Sequence, residues 1–148
     1  MKEIIGDLFE QEADAICLTT NGFVKNCGRA VMGAGVALQA KQRWPEIDLK
    51  LGSHIKDKGN MVGVIHWYRE PKFTYVVSFP VKHNWFEKAD LKLIENSCKE
   101  LVALVDMCQW KNIIVPKPGC ANGKLKWKDV KPICEKYFDD RFVIIDRR

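Results

Sequence analysis

Two glycine-containing loops constrain this chain more than any other feature. Each follows a short run of apolar residues, and each leads into helical periodicity. The first loop, residues 21–35, follows a buried-type strand at 13–20 and precedes Val36, Ala37, Ala40 and Trp44, which are spaced along one helix face. The second, residues 116–127, follows the β-branched run at 112–115 and precedes another helical pattern. A strand that turns through glycines into a helix is the building unit of an α/β domain. In such domains ligands bind beyond the carboxyl ends of the strands, where both loops would lie.

The rest of the chain fits the same plan. Residues 2–5 read as a short strand, and Pro45 ends the helix that starts at Val36. A further helix spans 47–56 and stops near Gly59. Residues 62–69 and 73–79 form a strand pair, and the short Glu70-Pro71-Lys72 link makes it an antiparallel hairpin. Leu91, Ile94, Cys98, Leu101, Val105 and Cys108 then recur every three or four residues, with Asp90 as N-cap. A helix from near Trp127 conflicts with Pro132, which predicts a kink or a later start. Residues 142–145 form the last strand. The expectation is a three-layer α/β/α fold with a mixed, mostly parallel central sheet, and a single domain over 1–148.

Composition sets the class of partner. The 148 residues suffice to bury about 68–70% of the unfolded surface without a disulfide or metal staple. Lys and Arg number 24 against 19 Asp and Glu, a net charge of +5 that favours anionic partners. Apolar runs such as Tyr75-Val76-Val77 and Ile113-Ile114-Val115 are too short to cross a bilayer, so no membrane partner is expected. Cys17, Cys27, Cys98, Cys108, Cys120 and Cys134 contain no C-x-x-C pair and no secretion signal precedes them, which points to reduced thiols and a cytoplasmic location. His54, His66 and His83 show no metal-ligand spacing, so neither a metal nor a cofactor is expected. Cys98 and Cys134 read as core residues, and Trp67 and Trp110 as packing residues. Trp85 is left open, either as packing or as a stacking surface for nucleic acid among the lysines.

The first loop is suited to a phosphate. Met32-Gly33-Ala34-Gly35-Val36 opens directly into a helix, whose first N–H groups and positive dipole end attract anions. It is neither a P-loop nor the dinucleotide G-x-G-x-x-G pattern. Taken alone it reads as a turn with a helix cap. Paired with Pro116-Lys117-Pro118-Gly119-Cys120-Ala121-Asn122-Gly123-Lys124, it can hold two phosphates of one ligand.

These segments resemble a known family. Gly6-Asp7-Leu8-Phe9, Ala13-Asp14-Ala15-Ile16 and Thr19-Thr20-Asn21 resemble the opening of macrodomains, the ADP-ribose-binding module. GRAVMGAGVALQAK, starting at Gly28, is similar to the family's first diphosphate loop. PGCANGKLKW, starting at Pro118, resembles its second loop as found in DNA ADP-ribosyl glycohydrolase antitoxins, and Phe79-Pro80-Val81-Lys82-His83-Asn84-Trp85 resembles the F-P-T-K-x-H-W segment of that branch.

The resemblance implies a role for each matching residue. Asp7, beside Leu8, would accept from the adenine amine, and Asn21 would contact the distal ribose. Met32, Gly33, Ala34, Gly35 and Val36 would cradle the diphosphate together with Gly119, Cys120, Ala121, Asn122, Gly123 and Lys124. Lys82, beyond the strand and Pro80, would be the catalytic lysine that attacks the anomeric carbon of that ribose. The implied ligand is ADP-ribose or an ADP-ribosylated macromolecule, with a nucleic acid as one carrier of the modification. The implied activity is hydrolysis of ADP-ribosyl adducts. Without the motif, Asp7 is a turn residue, Asn21-Gly22 a tight turn and Lys82 a solvated lysine. The chain departs from the pattern in Leu18-Thr19-Thr20-Asn21, in Asn84 at the histidine position, in Ala121 and Lys124 at glycine positions, and in Gly123 where a related branch has aspartate. Alternative readings are an ADP-ribose 1''-phosphate phosphatase, a non-catalytic reader and a basic nucleic-acid-binding module. A Cys120–His83 nucleophilic pair is the remaining chemical alternative, with backbone placement or packing the preferred role for Cys120.

Overall fold

The computed structural model describes residues 1–147. Six strands form one sheet: β1 (Lys2–Ile5), β2 (Ala15–Asn21), β3 (Gly63–Tyr68), β4 (Thr74–Lys82), β5 (Ile113–Pro116) and β6 (Phe142–Asp146). Their order across the sheet is β1-β6-β5-β2-β4-β3. All neighbours are parallel except the β3–β4 hairpin at one edge, so the sheet is mixed and mostly parallel, as expected. Four helices, α1 (Gly35–Arg43), α2 (Ile47–Lys58), α3 (Leu91–Cys108) and α4 (Trp127–Tyr137), cover it.

Side-chain alternation explains the layers. Along β2, Ala15 and Cys17 face one side and Ile16 and Leu18 the other, and all four are fully buried. The first pair joins Val77, Phe79, Val115 and Ile144 under Ile94, Cys98 and Leu101 of α3 and Val130 and Cys134 of α4. The second pair joins Val76, Ile114 and Ile145 beneath Ala37 and Ala40 of α1 and Ile47 and Leu51 of α2. Two-sided burial produces continuous apolar runs in the parallel strands. Each fully buried Leu or Ile contributes about 1.5–3 kcal/mol. Cys98 and Cys134 lie in the core as expected, and all six cysteines are free thiols.

Three readings of the sequence need correction. β4 does not end at Phe79; it runs through Pro80 to Lys82. Pro80 is tolerated there because Val81 is an extra residue: Thr20 faces Pro80 while Asn21 faces Lys82, so the ladder skips a position. α4 runs through Pro132 without starting late, and Pro132 lies on its exposed face, where the carbonyl that loses its donor meets water. Trp67, a packing residue by the sequence reading, lies outside the core: it is 46% exposed on edge strand β3, stacked on Phe73 with Arg69 over its ring, whereas Trp110 is buried as expected. The sequence also gave no sign of the 3₁₀ turn Leu8–Glu10.

Candidate functional site

The carboxyl ends of the parallel strands open into a cleft of about 1590 Å³. Its walls include Asp7, Leu8, Asn21, Lys82, residues 32–36 and residues 119–123. Every residue expected at the site lies there except Lys124, which is exposed outside the cleft lining.

The first loop is held from below. Arg29 Nη1 donates to buried Asp48 Oδ1 at 2.6 Å, and Ala30 N–H donates to the Asp48 carbonyl at 2.9 Å. Gly52 of α2 has no side chain, which lets the Gly28 carbonyl pack directly against the helix. The loop then enters α1 through Ala34, whose side chain provides no cap. Among the described residues, the N–H groups of Gly35, Val36 and Ala37 have no acceptor, so the start of α1 presents free donors to the cleft.

The second loop is closed on itself. Gly119 has φ of 71°, and its carbonyl accepts from Leu125 N–H at 2.9 Å. Gly123 is buried against Gly119, and its carbonyl accepts from Ala89 N–H at 3.1 Å. A Cβ at Gly123 would stand 2.5 Å from the Gly119 oxygen and 2.8 Å from the Ala89 Cβ. Ala121, Asn122 and Gly123 have N–H groups without an acceptor among the described residues. The two loops meet: a Cβ on Gly35 would lie 3.2 Å from the Asn122 amide nitrogen.

At the far end of the cleft, Asp7 uses Oδ1 to cap Phe9 N–H at 2.8 Å, which leaves Oδ2 free as an acceptor. Asn21 donates to the Val31 carbonyl at 3.0 Å and accepts from Phe23 N–H at 3.0 Å, so it fixes the first loop and keeps one N–H and one lone pair in reserve. The skipped ladder position brings Lys82 level with Asn21. Its Nζ donates to the Trp85 carbonyl at 3.3 Å, and its own carbonyl accepts from Asn60 Nδ2 at 3.1 Å. Partial burial, reinforced by the nearby Lys124 ammonium, holds the Lys82 ammonium below the ordinary lysine range.

The cysteine alternative does not survive this geometry. Burial pushes the Cys120 thiol up to about 11, and Sγ donates to the Pro118 carbonyl at 3.3 Å. His83 is engaged elsewhere, with Nε2 2.8 Å from Asp90 Oδ2. Sequence reasoning also missed several cleft residues. Phe23 lines one rim, and Lys117 pairs with Asp146 at 3.0 Å while lying over the Trp127 ring. Trp127 closes the quoted second-loop motif and was the one legible signal among them.

A three-layer α/β/α domain with paired glycine loops over the carboxyl ends of its strands defines a class of ligand-cradling modules. The Macro domain family model matches residues 26–134, and the chain belongs to that family. It is 29% identical over 139 residues to a DNA ADP-ribosyl glycohydrolase of Thermus aquaticus, a match covering 88% of this chain and 36% of that protein. A protein of the same name from Mycobacterium tuberculosis is 28% identical over 138 residues, covering 85% of this chain and 35% of the relative. The chain therefore spans little more than a third of the curated relatives it matches. Among solved structures, the macrodomain of Mycobacterium tuberculosis DarG superposes with a TM-score of 0.80 at 26% identity, covering 97% of this chain and 95% of that one. Thermosipho africanus DarTG in complex with ADP-ribose shares the fold, with a TM-score of 0.80 at 23% identity over 99% of this chain and 41% of that one. Among the described residues, no helix is long and apolar enough to cross a membrane.

Proposed function

We propose that this chain acts as one macrodomain that binds ADP-ribose and removes ADP-ribosyl groups from DNA, with Lys82 as the nucleophile. The observation that carries the reading is the position of Lys82: a partly buried residue level with Asn21, in the same cleft that the two glycine loops line. The names of the relatives and the ADP-ribose held by the Thermosipho protein support the choice of ligand.

In this reading Asp7 Oδ2 accepts from the adenine amine, and the diphosphate lies across the free N–H groups of the two loops. Lys124 contributes charge from outside the cleft lining. The distal ribose sits between the spare polar atoms of Asn21 and the Lys82 amine. The neutral amine attacks the anomeric carbon, and the bond to the base breaks with its electron pair leaving on the base, which takes up a proton. Water then hydrolyses the ribosyl–lysine linkage, which frees ADP-ribose and restores the amine. A lowered Lys82 pKa raises the fraction of neutral amine near neutrality.

The test is Lys82→Ala assayed on a single-stranded oligonucleotide carrying one ADP-ribosylated base. Loss of turnover with ADP-ribose affinity retained by calorimetry is the expected result. Unchanged turnover excludes the lysine mechanism, and absence of ADP-ribose binding by the unmodified protein excludes the whole reading.

A further inference from the structure

The turn that follows Lys82 exposes two large aromatic side chains that the fold does not use. Trp85 is 52% exposed and Phe86 is 65% exposed. Their rings meet edge to face, 5.5 Å between centroids, so the pair presents one ordered apolar surface. Trp85 also lines the cleft, which makes that surface continuous with the site.

The turn is braced on every side. Lys82 Nζ donates to the Trp85 carbonyl, and Asn84 Nδ2 donates to Glu87 Oε1 at 2.6 Å. Gly22 N–H donates to the His83 carbonyl at 3.1 Å, Ala89 N–H to the Gly123 carbonyl at 3.1 Å and Asp90 N–H to the Val81 carbonyl at 2.9 Å. An exposed indole on so constrained a turn loses little entropy when a flat ligand stacks on it. The other exposed tryptophan, Trp67, lies on β3 with Arg69 over its ring and Phe73 stacked against it.

The surroundings select an anionic ligand. Lys88 and Lys124 sit on the two segments joined by the Ala89–Gly123 bond, and both are exposed without a carboxylate partner among the described residues. Glu87, the one acid within the turn, accepts from Asn84 Nδ2 through Oε1 and keeps its charge, so the two lysines outnumber it. An aromatic face flanked by free cations matches a nucleobase and its phosphates, because every base has a π-face and every linkage a charge.

We propose that Trp85, buttressed by Phe86, is a stacking platform for a nucleobase of the strand that carries the adduct, with Lys88 and Lys124 receiving its phosphates. This rests on the reading of the chain as a DNA de-ADP-ribosylating macrodomain and adds the subsite that selects its substrate. A stacked, paired base cannot reach the indole, so the platform favours single strands over duplex.

The experiment compares Trp85→Ala, Trp85→Leu and Trp85→Phe on a single-stranded oligonucleotide carrying one ADP-ribosylated base, alone and annealed to its complement. Trp85→Ala and Trp85→Leu are expected to raise KM about tenfold on the single strand and to lower kcat much less, with Trp85→Phe restoring most of the loss. The preference of the unmodified protein for the single strand should shrink with them. Leu keeps apolar bulk without a π-face, so equal KM values for Leu and Phe variants overturn stacking. A KM within twofold of the unmodified protein for Trp85→Ala overturns the subsite. If the unmodified protein turns over neither strand form, the functional reading fails instead, and the two failures are thereby told apart.

Discussion

The two ends of the sheet are built from the same strands yet treat their polar groups in opposite ways. At the amino end of β2, Asp14 accepts from Lys111 N–H at 2.7 Å, Asn112 N–H at 3.3 Å and Lys72 Nζ at 2.9 Å. Asn112 Nδ2 donates to the Glu12 carbonyl, and Thr74 Oγ1 to the Ala13 carbonyl. Burial would push the Asp14 carboxyl up, but these donors outweigh it and hold the group below the ordinary carboxylate range. At the carboxyl end, two loops keep N–H groups without acceptors, Lys124 adopts φ of 63° and Trp85 stands in solvent. One end closes its hydrogen bonds for stability. The other leaves donors, strain and apolar surface unspent, as a site for a ligand requires.

That contrast predicts opposite readouts from damage at the two ends. Gly123→Ala has the larger effect, because its Cβ meets backbone of Gly119 as well as the Ala89 methyl. A cost of about 2–3 kcal/mol in denaturant unfolding is expected. The displaced loop should also weaken ADP-ribose binding more than tenfold by calorimetry. Asp14→Ala should cost about 1–2 kcal/mol, since it strands the Lys111 and Asn112 N–H groups, with ADP-ribose affinity unchanged. Its pH dependence has a fixed sign. The folded-state pKa of Asp14 is lowered, so its contribution is present above the ordinary carboxylate pKa and fades as pH falls through the folded value. An Asp14→Ala protein that loses ADP-ribose affinity breaks the contrast.

How much of this was legible in the sequence follows from the range of each interaction. Periodicity placed the helices, Asp90 was read as an N-cap and does accept from Lys92 N–H, and the two glycine loops marked the cleft. Those signals are local, a few residues long. The reach of β4 to Lys82 was hidden because Pro80 reads as a strand breaker until the partner strand shows that the ladder skips Val81. The role of Asp14 depends on residues 97 and 98 positions away, and Phe23 lines the cleft from a turn in which Asn21 accepts its N–H. The motif alone places Lys124 with the diphosphate cradle. Its side chain lies outside the cleft lining, and its charge reaches the site through Lys82.

Lys124 gives the smallest effect and the finest test of the contrast, because strain and electrostatics can be separated at one position. Lys124→Gln keeps the left-handed backbone and removes the charge. With less repulsion the Lys82 ammonium is less disfavoured, so its pKa moves up toward the ordinary lysine value, while the larger effect of burial persists. In the proposed mechanism the reactive form is the neutral amine, so the rising limb of kcat against pH should move to higher pH in this variant. Added salt should move the unmodified protein the same way, since the two charges interact across exposed surface. Lys124→Gly should make the same shift in the pH profile and also stabilise the fold by about 0.5–1 kcal/mol, the left-handed penalty of a side chain less the entropy cost of glycine. A pH profile unmoved in both variants would mean that Lys124 does not act on Lys82, and that burial alone sets the amine at the mouth of the cleft.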